Sequence, residues 1–220
     1  MDDPRAEISP DRRPIKTRSA RWVQDLAIRL AAQGVSPNQI SISSVAFAAL
    51  GACLLAGEAG GARSGWAFIA AAACIQLRLL ANVLDGLVAV EGGRASRVGE
   101  LYNEIPDRIA DILLLAAAGY AARHGDLGIF LGWASAALAV AAAYIRALGA
   151  RRGFPQDFSG PLAKQQRMFL LTVGCLTAAL EAWLGLNPRA LILILWALVL
   201  GTLWTCIRRT LTLARRLEGS

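Results

Sequence analysis

Between residues 82 and 111 the chain reads NVLDGLVAVEGGRASRVGELYNEIPDRIAD, and its oxygen-bearing side chains fall at helical intervals. Asn82, Asp85 and Ala89 step by three and four residues and share one helix face; Gly99, Asn103, Asp107 and Asp111 step by four and share another. If two such faces meet as antiparallel neighbours, the amides of Asn82 and Asn103 join the carboxylates of Asp85 and Asp107 in a hard-cation site. Oxygen ligands of this kind suit Mg²⁺, Mn²⁺ or Ca²⁺. Mg²⁺ in particular is usually shared with substrate phosphates, and Gly86 and Gly99 let a bulky phosphorylated ligand come close to the backbone. A second polar stretch, YIRALGARRGFPQDFSGPLAKQQRM, carries Arg146, Arg151, Arg152, Lys164 and Arg167 among Gly- and Pro-containing turns. These residues can build a phosphate pocket, since guanidinium forks grip phosphate in two places. Anchoring to anionic headgroups accounts equally well for Arg151, Arg152 and Arg167. Arg146, at the end of a long apolar run, and Lys164, one of only two lysines, are the stronger phosphate candidates.

The elements that must position these groups are membrane helices. Of 220 residues, 55% are apolar and 18% charged, which excludes an ordinary soluble globule and a disordered chain. At roughly 20 apolar residues per crossing, the chain has room for about six spans. Residues 40–57, 127–145 and 190–207 are free of charge; 66–84 is interrupted by Arg78, 168–186 by Glu181, and 100–122 carries Asp107, Arg108 and Asp111. The expected fold is therefore an all-α integral membrane protein with six transmembrane helices over residues 36–220. A terminal arm, 1–17, and an amphipathic interfacial helix, 18–35, precede them; Ser36 and Pro37 fit an N-cap and first helical position for the first span. Most of the 23 lysines and arginines fall in the N-terminal arm, the second and fourth connections and the C-terminal tail, whereas Arg63, Arg123 and Arg189 fall on the other face. The bias places both termini in the cytoplasm. It also explains the net charge of +7 without nucleic acid as a partner. All four cysteines lie in apolar runs, so neither a disulfide nor a zinc site is expected, and no cleavable signal peptide is visible. Arg78 lies seven residues deeper than Asp85, and Asp111 one turn deeper than Asp107; the two are expected to pair inside the bundle.

The stretch from 82 to 107 resembles the signature of the CDP-alcohol phosphotransferases, Asp-x-x-Asp-Gly-x-x-Ala-Arg, about eight residues, then Gly-x-x-x-Asp-x-x-x-Asp. Asp85, Gly86, Ala89, Gly99 and Asp107 are retained with the spacing intact, and Asn82, Asn103 and Val90 stand where the family has Asp, Asp and Arg. The resemblance implies transfer of a phosphate-linked group from a CDP-linked donor, CDP-diacylglycerol in the leading version, to an alcohol with release of CMP. It implies that Asn82, Asp85, Asn103 and Asp107 are ligands to Mg²⁺ or Mn²⁺, that Asp107 is also the base, and that Asp85, Gly86, Ala89 and Gly99 face the CDP group. Arg146, Lys164 and Arg151 are then the candidates for acceptor or phosphate binding. A bacterial-type inner membrane, a site open to the cytoplasm and a homodimer belong to the same expectation. The two amides cut the formal charge of the four-ligand set from minus four to minus two, which weakens divalent-metal binding. Glu91, Glu100 and Glu104 are placed to restore charge, and Arg94 or Arg97 to replace the guanidinium absent at Val90. A variant enzyme subgroup is the leading expectation. Two others stand beside it: an enzyme using a small CDP-alcohol as donor and a membrane diacylglycerol as acceptor, and a non-catalytic protein of the same fold that binds or transports cations.

Overall fold

The computed structural model describes residues 20–59, 64–91 and 99–219, with the side chains of Glu91, Glu100, Tyr102 and Asn103 outside that description. The arm 1–17 and the candidate arginines Arg94 and Arg97 also lie outside the described residues. Regular structure among the described residues is helical: α1 (Arg21–Ala32), α2 (Pro37–Gly57), α3 (Gly65–Glu91), α4 (Gly99–Ala121), α5 (Gly125–Arg151), α6 (Lys164–Trp183) and α7 (Ala190–Glu218).

Local chemistry sets where several of them begin. At α2 the Ser36 hydroxyl accepts from the Gln39 N–H while the Gln39 side chain accepts from the Ser36 N–H, and Pro37 takes the first helical position. The Glu181 carboxylate near the end of α6 accepts from the N–H groups of Arg189 and Ala190, capping α7. In α1, Val23 and Ala27 are buried in one cluster with Leu84 and Val88 of α3, whereas the neighbouring Trp22 is 58% exposed. The helix thus packs its Val23–Ala27 stripe against protein, and its ends fall inside the expected 18–35.

The six long helices close into a ring in the order α3, α2, α4, α5, α7, α6 and back to α3. This corrects the expectation that the second and third spans are direct neighbours. α2 packs between α3 and α4 because its buried face is built of small residues, Ser41, Ser44, Ala48, Gly51 and Ala52. A Cβ on Gly51 would sit 3.1 Å from Cys74 of α3 and 3.1 Å from Leu114 of α4. α4 and α5 approach more closely still, since a Cβ on Gly132 would lie 2.8 Å from the Gly119 Cα.

Among the described residues, four helices, α2, α3, α5 and α7, are long and apolar enough to cross a membrane. α4 and α6 occupy the expected third and fifth positions, but charges through the first half of α4 and near both ends of α6 lower their apolar content. Trp66 and Trp183 meet edge to face with ring centres 5.3 Å apart, and Trp133, Trp196 and Trp204 are exposed on the outer surface of the ring.

Candidate functional site

The polar groups of α3, α4 and α6 converge inside the ring. Asp85, on α3, is 4% exposed; its Oδ2 accepts from the Ser41 hydroxyl of α2 at 2.7 Å, and its Oδ1 is buried with no hydrogen-bond partner. One turn earlier, the Asn82 amide nitrogen donates to Asp107 Oδ1 of α4 at 2.8 Å. The two expected faces therefore meet across the ring interior, through side chains rather than through packed backbones.

Asp107 is surrounded by donors. The Lys164 ammonium, at the first residue of α6, contacts its Oδ2; Arg108 Nη2 lies 3.7 Å from that oxygen and Arg78 Nη2 lies 3.6 Å from Oδ1.

One turn deeper, the expected Arg78–Asp111 pair is present at 2.6 Å. It is half of a larger arrangement. Arg167 donates to the other Asp111 oxygen at 2.9 Å and to the Leu162 carbonyl at 3.1 Å, and Arg78 also donates to the Asp107 backbone carbonyl at 3.2 Å. Arg167 is 2% exposed, which argues against headgroup anchoring, one of the two alternatives open for it.

The connection before α6 fixes where Lys164 and Arg167 enter the ring. Arg209 of α7 donates to the carbonyls of Ser159 and Ala142, both at 2.9 Å, and Thr205 Oγ1 accepts from the Leu162 N–H at 3.2 Å. Within this loop, burial pushes the Asp157 carboxyl up, but hydrogen bonds from the Ser159 hydroxyl and N–H prevail and hold it below the ordinary carboxylate range.

The remaining candidates are more scattered. Arg146 donates to Glu104 of α4 at 2.5 Å, stacks over the Phe158 ring at 5.4 Å, and lines a small cavity with Asp157, Arg209 and Arg216. Glu104 in turn lies 3.4 Å from Arg108, so Arg146 joins the central cluster through a chain of ion pairs. Arg151 is exposed at the last position of α5. Gly86 and Ala89 are half-buried on the last turns of α3, and Val90 beside them is 59% exposed. Gly99 and Asn103 fall in the opening turns of α4; the Asn103 side chain, like those of Glu91 and Glu100, lies outside the described residues.

Sequence reasoning missed Ser41, Arg209 and Thr205. The run of Ser41, Ser43 and Ser44 at the start of an otherwise apolar helix is the signal that points to the first.

A buried carboxylate oxygen without a donor calls for a cation or an incoming hydrogen-bond donor. Asp85 Oδ1 is such an oxygen, and the Asn82 carbonyl lies one turn away with its amide nitrogen already turned to Asp107. This donor set fits a hard divalent cation at Asp85.

Comparison with known proteins places these residues in context. The family profile described as CDP-alcohol phosphatidyltransferase matches residues 34–204. A phosphatidylinositol phosphate synthase of Streptomyces avermitilis is 27% identical over 201 residues, covering 89% of this chain and 79% of its own. Among solved structures, the Mycobacterium tuberculosis phosphatidylinositol phosphate synthase with CDP-DAG bound superposes with a TM-score of 0.73 at 22% identity, covering 88% of this chain and 94% of that one. The same enzyme in complex with manganese and citrate gives 0.71 at 21% identity, over 87% and 88% of the two chains.

Proposed function

Because the chain belongs to the CDP-alcohol phosphatidyltransferase family, we propose that it is a membrane phosphotransferase of phospholipid synthesis, moving a phosphatidyl group from CDP-diacylglycerol to an alcohol with release of CMP. The observation that carries this reading is the unpartnered, buried Asp85 Oδ1, set against the Asn82–Asp107–Lys164 cluster. The six long helices all cross the bilayer of a bacterial-type inner membrane, both termini and the site face the cytoplasm, and two chains form a homodimer. Asn82 and Asn103, at the first and third aspartate positions of the family motif, mark the chain as a variant subgroup.

Asp85, with the Asn82 and Asn103 amides and Asp107, would hold a divalent cation, Mg²⁺ or Mn²⁺. When bound, the ion supplies Lewis-acid polarisation of the donor pyrophosphate and a template for departure of CMP. The rest falls to the chain's own groups. Gly86, Ala89 and Gly99 border the entry of the nucleotide. Ser41 fixes the Asp85 carboxylate so that Oδ1 faces the ligand. Asp107 takes the proton of the acceptor hydroxyl as its oxygen bonds to the phosphorus bearing diacylglycerol and the anhydride bond to CMP breaks. Arg78 and Arg167 hold Asp111, and Arg78 also holds the Asp107 carbonyl, which sets the height of the base on α4. Arg146, Lys164 and Arg151 are the basic groups for phosphate on donor or acceptor.

The test is CMP release by the purified protein with CDP-diacylglycerol, Mg²⁺ or Mn²⁺, and a panel of polyols and phosphorylated polyols. Metal-dependent release is expected, falling about 10²–10⁴-fold in Asp107→Asn. No release with any metal, together with no thermal shift on adding CDP, would leave the non-catalytic cation-binding reading instead.

A further inference from the structure

We infer that this site takes a single divalent cation, at Asp85, and that the Lys164 ammonium stands at Asp107 in place of a second. The inference deepens the phosphotransferase reading and rests on it. Among the described residues, three buried carboxylates, Asp85, Asp107 and Asp111, are met by at least three cationic side chains, Arg78, Lys164 and Arg167, with Arg108 beside Asp107 as well. The oxygens are not equally committed. Asp111 gives one to each guanidinium, and Asp107 gives Oδ1 to the Asn82 amide and Oδ2 to the Lys164 ammonium. Of the six carboxylate oxygens only Asp85 Oδ1 has no partner.

Charge balance points the same way. Two divalent ions about 3.5–4 Å apart need a surplus of anionic ligands to offset their mutual repulsion. Here the three carboxylates are already matched by at least three cations, and the residues at 82 and 103 are neutral amides. A second dication at Asp107 would have to displace Lys164, leaving its half-buried ammonium unpaired near Arg78 and the new ion, where the like charges repel. A first ion at Asp85 Oδ1 displaces no hydrogen-bond donor from that oxygen. Lys164 is thus a resident counter-charge for Asp107, performing the neutralisation for which the amides leave no second metal.

The decisive measurement is Mn²⁺ binding by the full-length protein in detergent with CDP present, followed by electron paramagnetic resonance. One Mn²⁺ per chain, with the spectrum of an isolated ion, is expected; Asp85→Asn should abolish it, and Lys164→Arg, which keeps the charge, should leave the stoichiometry unchanged. Lys164→Ala combined with Asn82→Asp and Asn103→Asp should admit a second ion and give the spectrum of a spin-coupled pair. A coupled pair in the unmodified protein overturns the inference while leaving the phosphotransferase reading intact. Absence of bound Mn²⁺ also overturns it, and CMP release by the same preparation then decides the fate of that reading separately.

Discussion

The hydroxyl of Ser41 decides which oxygen of Asp85 is available. It donates to Oδ2, so Oδ1 is the atom left for a ligand, and the carboxylate cannot turn without giving up a charge-assisted hydrogen bond. Loss of such a supporting contact typically costs about 10–100-fold in metal affinity. Ser41→Ala is expected to weaken Mn²⁺ binding by that factor, with Ser41→Thr recovering most of it; titration calorimetry reads both, and equal affinities in all three proteins would remove Ser41 from the site. Asn82, Asp85 and Asp107 are legible in the sequence because polar groups at helical spacing are conspicuous among apolar residues, and each intrahelical face follows from that spacing. Ser41 is not, because serine near the start of an apolar helix commonly bonds back to its own helix, as this one also does to the Pro37 carbonyl at 3.2 Å. Lys164 is legible in the sequence as a phosphate candidate, but the partner it meets is not: its contact with Asp107 depends on where α6 enters the ring, which the loop clamp by Arg209 and Thr205 sets.

Three helices are tied together at one height by a single carboxylate. Asp111 of α4 receives Arg78 of α3 on one oxygen and Arg167 of α6 on the other, all three side chains being buried. Depth alone predicts the Arg78–Asp111 pair, since both residues lie one to two turns inside the motif. Arg167 escapes that argument, because it belongs to a basic cluster two of whose members, Arg151 and Arg152, are exposed. Removing one partner of a buried ion pair costs about 3–5 kcal/mol, whereas replacing the whole set by apolar groups is often neutral or better. Asp111→Asn, which strands two guanidiniums, is therefore expected to lower the detergent melting temperature strongly. Arg78→Leu with Asp111→Leu still leaves Arg167 without its carboxylate and recovers only part of the loss; adding Arg167→Leu should recover more. A triple variant no more stable than Asp111→Asn would show that the charges themselves hold the helices in place.

Closure of the ring explains why six crossings are compatible with only four plainly apolar helices. α4 and α6 turn their charges inward, where Asp107, Asp111 and Arg167 are buried, and outward they present Leu101, Ile105, Ile109 and Tyr120 on one and Phe169, Leu176 and Leu180 on the other. A charged residue in a span is tolerated when it faces the bundle interior and finds a partner, so average composition understates what these two helices can cross. The sequence shows the charges but not the ring order, because neither the spacing of α2 nor its small residues says that it separates α3 from α4. With six crossings, the ends of the chain lie on one side, and Arg208, Arg209, Arg215 and Arg216 at the end of α7 join α1 and its Arg21 and Arg29 there, opposite Arg123 and Arg189. Green fluorescent protein fused after Ser220 should accordingly fluoresce, and alkaline phosphatase fused at the same place should be inactive. After a truncation at Arg123, between α4 and α5, the two reporters should reverse. Active phosphatase at Ser220 would require an odd number of crossings, and α4 or α6, the two helices whose charges line the site, would then have to lie outside the membrane.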